Sequence, residues 1–167
     1  MSIVTEPLTA EPAFVSYALD GPRPADWATV TLVAVPTDPS IGAEAWAAAV
    51  FSPRSAPLFV KVLFGLRQVL VRLIGIPPAT DDVFAVDTVV DGEAVIVTED
   101  AHLDFRAGIA FDADRLLLRV TTAVWFKGLR GRIYFVPVAF AHDVITRAMM
   151  RRAIRGVIAR QGLPASR

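Results

Sequence analysis

Cysteine is absent from this chain of 167 residues, and its absence removes several functional classes at once. Disulfide bridges, thiolate nucleophiles and cysteine-ligated zinc sites all require it. Only two histidines are present, His102 and His142, and they fall on different predicted elements, so no metal site is predicted. A chain without cysteine suits a reducing compartment, and residues 1–20 show no secretory signal pattern. The sequence therefore predicts a cytoplasmic protein.

Sequence signatures of nucleotide binding and of common hydrolases are also missing. No glycine-rich dinucleotide motif, Walker loop, Gly-x-Ser-x-Gly or His-Glu-x-x-His occurs, so we predict no cofactor. The 17 basic and 17 acidic residues balance, although residues 1–99 carry twelve of the acids and residues 100–167 twelve of the bases. Opposite charges on the two halves favour pairing within the chain or between subunits. The arginine-rich C-terminal region has no interleaved aromatic residues, so no nucleic-acid partner is predicted.

Apolar residues, in contrast, are abundant, at 54% of the chain with a mean hydropathy of +0.49. This surplus predicts a large core, an internal apolar cavity or a buried partner interface. The most apolar stretch, residues 58–76, contains Lys61, Arg67 and Arg72. Because charged groups near a helix centre are costly in lipid, we predict a buried helix here and no transmembrane segment. Arg67 lies away from the polar stripe of this helix, and is a candidate to meet a carboxylate or a ligand anion.

The order of predicted elements defines an α+β class. One domain is expected over residues 27–162, preceded by an extended, proline-rich arm (1–26) and followed by a short tail (163–167). Its elements are a strand at 27–36, helices at 43–51 and 58–74, a four-stranded antiparallel meander within 83–126, and a long basic C-terminal helix that reaches Gly162 and has Pro137 at or near its first turn.

Two turns set the register of the meander. Asp91-Gly92 is typical of a type I′ hairpin and pairs Thr88 with Val95. A second turn at residues 112–115 predicts that Leu103 lies opposite Val124. In that register one face of the hairpin is apolar apart from Thr122, whereas a slip by one residue would mix it with charges.

This order of elements is that of the helix-grip fold, in which a curved sheet wraps a final helix and leaves an apolar cavity between them. We therefore predict that the chain binds a small, mostly apolar ligand there. The Thr122 hydroxyl and the Tyr134 phenol would orient the ligand. The predicted lining residues are Leu103, Phe105, Ile109, Leu118, Val120, Thr122, Val124, Tyr134, Phe140 and Met149.

Three segments carry a resemblance to a known family: PLFVKVLFGLRQVLVRLIGI (57–76), EDAHLDFRAGI (99–109) and TTAVWFKGLRGRIYFVPVAFAH (121–142). They resemble a bacterial family of unknown function grouped with the SRPBCC superfamily, which includes START lipid-transfer domains and polyketide cyclases. Some members look like C-terminal appendages of sugar-nucleotide epimerase-like proteins. The similarity spans about residues 40–155, and this chain has Ala139 where the family pattern has proline. The resemblance implies a helix-grip fold, but the family has no established catalytic residues to assign to this chain.

A polar cluster alternates along the strand opposite this apolar face. His102, Asp104 and Arg106 share one side, and the predicted register adds Trp125 opposite His102 and Arg119 diagonal to Arg106. Such residues could form an acid–base pair with an anion clamp, as in a cyclase, hydrolase or isomerase. They could equally form an outward salt-bridge ladder. A third alternative is that this outer face, with Trp125, is a homodimer interface.

His142, followed by Asp143, stands near the predicted start of the C-terminal helix. The negative charge is favoured there by the helix dipole. A partly exposed histidine and a ligand contact are both compatible with this position, and His142 stays a candidate site residue.

Overall fold

Five strands form one antiparallel sheet that packs against two helices. The structure is a computed structural model and describes residues 15–52, 85–100 and 102–162, without the side chain of Tyr134. The elements are a 3₁₀ turn at Tyr17–Leu19, then β1 (Trp27–Ala34), α1 (Ala43–Phe51), β2 (Thr88–Val90), β3 (Glu93–Glu99), β4 (Leu103–Asp112), β5 (Leu117–Phe126) and α2 (Leu129–Gln161). The predicted helix at 58–74 and Arg67 lie outside the described residues.

The strand order is β1-β5-β4-β3-β2. Strands β2 to β5 are the predicted four-stranded meander, and β1 adds to it beside β5. The α+β class, with a long C-terminal helix against an antiparallel sheet, is therefore confirmed as a helix-grip-like arrangement. No helix among the described residues is long and apolar enough to span a bilayer.

The first hairpin matches the prediction. Thr88 pairs with Val95, and Asp91 and Gly92 both have positive φ, at 46° and 77°, as a type I′ turn requires.

The predicted register of the second hairpin is wrong by two residues. Leu103 pairs with Phe126 and Phe105 with Val124, because the turn occupies residues 113–116. Asp112 fixes this longer turn, since its carboxylate accepts hydrogen bonds from the Arg115 backbone N–H at 2.9 Å and from the Arg115 guanidinium at 2.8 Å. A shift of two keeps every side chain on its predicted face.

The inner face of the sheet forms the main core with α1 and with the C-terminal half of α2. Ile96, Ile109 and Leu118 are fully buried and meet Trp46 and Met150 from the two helices. The apolar face of the sheet therefore turns inward, as the sequence predicts.

The start of α2 differs from the prediction. Pro137 lies inside α2, as its ninth residue, and not in its first turn.

The outer face of the sheet is covered as well. We call residues 15–26 the strap, because they cross strands β3, β4 and β5 on that side. Trp125, which is 3% exposed, donates its indole N–H to the Arg23 carbonyl at 2.7 Å. A Cβ on Gly21 would come within 2.2 Å of the Trp125 ring. The strap therefore buries Trp125 within its own chain, and a homodimer interface on this outer face stays a prediction.

A buried carboxylate anchors the strap. Glu93, 2% exposed, accepts hydrogen bonds from the Ser16 hydroxyl and the Tyr17 backbone N–H, each at 2.7 Å. Arg119 forms an ion pair with Glu93 at 3.3 Å and donates to the Val15 carbonyl at 3.2 Å. Arg119 lies opposite Ala110, so it belongs to this anchor and not to a pair with Arg106. Partners on several sides allow the charge to stay buried.

We predict that Gly108→Ala destabilises the protein by about 1–3 kcal/mol, the usual cost of overpacking a core. The new methyl group would lie 2.2 Å from Glu93 Oε1 and 3.1 Å from Ala18 Cβ, so the anchoring carboxylate would have to leave its donors. Urea unfolding measures the change. In the matched control Gly156→Ala, the nearest atom is the end of Arg160 at 3.6 Å. That helical substitution should stabilise by up to about 1 kcal/mol. If the two substitutions changed the free energy of unfolding equally, Glu93 would not be the anchor of the strap.

Candidate functional site

A cavity of about 40 Å³ lies between the inner sheet face, the end of α1 and the middle of α2. Its wall is mostly apolar, with three uncharged polar side chains. The lining residues are Val50, Phe51, Phe105, Val120, Thr122, His142, Thr146 and Met149. This is the space in which the sequence predicts a ligand.

Two periodicities bring these side chains together. On β5, Val120 and Thr122 are two residues apart and share the inner face. Thr122 pairs with Ala107, whose methyl group is too small to fill the space in front of the threonine. On α2, His142, Thr146 and Met149 follow at i, i+4 and i+7 and therefore share one side of the helix.

His142 is the distinctive polar group of the cavity. Its ring meets Trp27 edge-on at 5.0 Å, and its Nδ1 lies 3.5 Å from the Thr146 hydroxyl. Burial lowers the pKa of His142, and the neighbouring Asp143 carboxylate opposes this only in part. The imidazole is therefore neutral at pH 7 and can donate one hydrogen bond while accepting another.

The charged groups nearest to His142 are paired with each other outside the cavity. Asp143 binds Arg147 at 2.8 Å, and this ion pair, more than any other contact, lowers the pKa of Asp143. Thr31 donates to the same carboxylate at 3.3 Å, and Arg147 also donates to the Leu32 carbonyl at 3.2 Å. The arrangement ties α2 to β1 and leaves the cavity itself without a charged residue among its described lining.

The structure divides the predicted lining residues into groups. Phe105, Val120, Thr122 and Met149 line the cavity. Ile109, Leu118 and Val124 are buried in the same inner layer, and Leu103 is half-buried. Phe140 is 85% exposed and faces away from the cavity, and the Tyr134 side chain lies outside the described part of the chain.

Sequence reasoning missed some members of the wall. Val50 and Phe51 come from the end of α1, which no pattern in the sequence directs to this space. His142 was a candidate only as a residue near a helix start. The i, i+4 spacing of His142 and Thr146 could have indicated a shared helix face, had the helix been predicted to begin earlier.

His102, Asp104 and Arg106 lie on or beside the outer face and do not open into the cavity. Asp104 forms an ion pair with Lys127 at 2.6 Å, which raises the pKa of Lys127. Arg106 stacks over the Trp125 ring at 5.6 Å. An acid–base role for His102 and Asp104 stays a prediction for a surface site, separate from the cavity.

A larger, open cleft of about 530 Å³ lies on the outer face beside the strap. Its charged groups already bind each other: Asp112 pairs with Arg115 at 2.8 Å, and Glu93 with Arg119 at 3.3 Å. The Tyr17 hydroxyl donates to Asp91, and this bond is the main cause of the raised pKa of Tyr17. Because these groups hold the strap and the turn between β4 and β5, the smaller inner cavity is the better candidate site.

Metal ligands do not converge in the ranges that the structure describes. No group of three His, Asp or Glu side chains there is close enough to hold an ion. The described residues thus define an α+β protein with a helix-grip-like fold and a small, mostly apolar cavity without a charged residue in its described lining.

The particular family follows from the sequence match. Residues 22–149 match the model of DUF2867, a family described as proteins of unknown function, and the chain belongs to that family. The match begins in the strap, spans the sheet and ends at Met149 on the cavity wall. No curated protein and no solved structure matches the chain.

The depressed pKa of His142 predicts a pH dependence of stability. The unfolded chain takes up a proton on this residue near pH 6.5, whereas the folded protein does so only at lower pH. Stability should therefore be fully present above about pH 6.5 and fall as the pH drops below it. Urea unfolding at pH 7.5, 6.5 and 5.5 measures the slope, which His142→Phe should flatten.

His102→Gln is the comparison variant, because it removes the other imidazole and leaves His142 in place. A slope that survives His142→Phe unchanged would show that His142 is not the buried group responsible.

Proposed function

We propose that this DUF2867 protein binds a small, mostly apolar ligand between the inner face of its sheet and helix α2. The observation that carries the proposal is the cavity of about 40 Å³, with an apolar wall and a few convergent polar groups. Ligand sites in proteins have this composition. A biological role as a lipid-binding member of the SRPBCC superfamily, in a bacterial cytoplasm, belongs to the same proposal and is supported by the sequence resemblance.

The volume of the cavity limits how the ligand is held. An apolar cavity that takes up benzene measures about 150 Å³, nearly four times the space here. The cavity therefore accepts one end of a ligand. The remainder would lie along Phe51, Phe105 and Met149, which are only partly buried against the core. Met149 is unbranched and flexible, so it can move aside as the ligand enters.

Substitutions of two valines on β5 test whether the ligand binds in this cavity. Val120 lines the cavity, whereas Val124 lies on the same face of the same strand outside it; both are almost fully buried. Val120→Leu should fill the cavity, abolish ligand binding and cost little stability. Val124→Leu overpacks a filled region and should cost about 1–3 kcal/mol without changing affinity.

The measurement is native mass spectrometry of protein purified by mild extraction, followed by titration of 1-hexanol detected by amide chemical shifts. Loss of bound ligand with Val120→Leu alone is the expected result. If the unaltered protein carries no ligand and 1-hexanol shifts no resonance near Val120, the proposal fails.

Homodimer formation along α2 is a second candidate function. Five large apolar side chains stand on one side of the N-terminal half of α2, each 55–85% exposed, and we call them the α2 stripe. They are Leu129, Ile133, Val136, Phe140 and Val144. The first four follow at i, i+4, i+7 and i+11, the spacing of a coiled-coil seam. Exposed apolar rows of this kind are characteristic of interaction surfaces.

The occupant that we propose for the α2 stripe is a second copy of the chain, packed antiparallel. Pairing Leu129 with Val144 and Ile133 with Phe140 of the other copy places Val136 beside its own counterpart at the twofold axis. The same register puts the exposed Arg130 of one copy level with Asp143 of the other, where Asp143 would be shared between Arg130 and its own Arg147.

Because the chain has no cysteine of its own, single cysteines report this contact directly. Val136→Cys should form a disulfide-linked dimer of twice the 18.0 kDa mass under mild oxidation. Val89→Cys, on β2 and 50% exposed, should stay monomeric as the matched control. Phe140→Glu should abolish the dimer in light scattering without loss of stability. If the Val136→Cys variant stays monomeric and its thiol reacts slowly with a labelling reagent, another part of the same chain covers the α2 stripe. That result would contradict the proposed dimer.

A further inference from the structure

The polar groups of the cavity carry an inference about the chemistry of its ligand. Three side chains of the described wall can form hydrogen bonds: the Thr122 and Thr146 hydroxyls and the His142 imidazole. None of them is cationic at neutral pH, and no lysine or arginine belongs to that wall. Such a site can bond an uncharged oxygen but supplies no counter-charge for an anion.

The neighbouring charges reinforce this selection. Asp143, next to His142, is ion-paired with Arg147, so the pair carries no net charge and gives an anionic ligand no counter-charge. Arg147, the nearest cation in sequence, binds Asp143 through Nε at 2.8 and 3.0 Å and the Leu32 carbonyl at 3.2 Å. It is therefore held away from the cavity. The Trp27 ring and the Thr146 hydroxyl, both uncharged, contact the imidazole ring.

The size of the space points to a small polar end group. A water molecule occupies about 30 Å³ of liquid, and the cavity measures about 40 Å³. A hydroxyl or carbonyl oxygen with its own carbon fits such a volume, whereas a carboxylate would have to give up its hydration without a cation to replace it.

We infer that the cavity selects ligands that end in an uncharged oxygen, an alcohol, aldehyde or ketone on an apolar chain, and that His142 is the residue that sets this specificity. This inference rests on the proposed function, because it names the ligand class of the same cavity. His142 Nδ1 lies 3.5 Å from the Thr146 hydroxyl, so Nε2 is the ring nitrogen that we assign to the ligand oxygen. The two threonine hydroxyls offer a second hydrogen bond.

Paired probes with one carbon skeleton test the inference. 1-Hexanol and hexanoate, titrated at pH 8 where hexanoate is ionised, should differ in affinity by at least about tenfold in favour of the alcohol, since the unpaired charge is costly to bury. Amide chemical shifts on β5 and α2 give both dissociation constants and show that both probes act at the cavity.

Two variants assign the specificity. His142→Leu keeps roughly the size of the side chain and removes its nitrogens, so it should weaken the affinity for 1-hexanol by about fivefold, the worth of one hydrogen bond, and leave the affinity for hexanoate unchanged. Thr121→Val is the matched control for the loss of one polar group, because Thr121 is fully buried on β5 but faces the strap. It should alter neither dissociation constant. A change in thermal stability equal in the two variants, with 1-hexanol affinity unaffected in both, would overturn the role of His142.

The outcomes separate this inference from the proposed function. Equal binding of 1-hexanol and hexanoate would refute the selection for uncharged oxygen and leave apolar binding intact. Failure of both probes to bind would refute the proposed function itself.

Discussion

Strand β5 is buried on both of its faces, and each face is covered by a different part of the chain. Its inner side chains, such as Val120 and Thr122, meet helix α2, while its outer side chains, such as Thr121 and Trp125, lie under the strap. All five residues from Thr121 to Trp125 are buried, which is the burial expected of the interior of a sandwich. Because helices alone cover only one face, the strap is the third layer that makes this burial complete.

The two sides of β5 handle polar groups differently. On the outer side, Glu93 accepts hydrogen bonds from a hydroxyl, a backbone N–H and a guanidinium. On the inner side, burial lowers the pKa of His142, whose ring lies beside the Thr146 hydroxyl and the Trp27 ring. A buried charge with several donors stabilises a structure by fixing its geometry. A neutral imidazole with an open nitrogen contributes little to stability and retains the ability to bind something else.

Much of the fold was predictable because strand alternation is strong in this chain. An apolar face along β4 and β5 can be recognised from residues 103–126 alone, and that face does turn inward. The same period of two explains the error in register: a shift by two residues leaves the pattern intact, so only the turn decides. That turn needs Leu116 at φ 52°, which is rare for a non-glycine residue and leaves no mark in the sequence.

The parts of the site that could not be predicted depend on contacts distant in sequence. Ser16 and Glu93 are 77 residues apart, and their bond involves a hydroxyl that occurs in any loop. The glycine at position 108 was the available indication, because a glycine inside a strand marks a close approach of other atoms. His142 was hidden by the position of Pro137. A proline predicts a helix start, but here α2 begins eight residues earlier, which places His142 within the helix at cavity depth.

The polar residues of the two layers differ in what they cost the folded state. Replacing His142 by an apolar side chain of similar size would remove the cost of desolvating an imidazole and would fill part of a cavity whose surface forfeits dispersion contacts. On grounds of stability alone, a leucine or phenylalanine would be the better residue at this position. In the outer layer both carboxylate oxygens of Glu93 have donors, although the buried Thr121 hydroxyl has no hydrogen-bond partner among the described residues. Buried polar groups that folding does not require are therefore present on both sides of β5, and His142 is the titratable one among those that line the inner cavity.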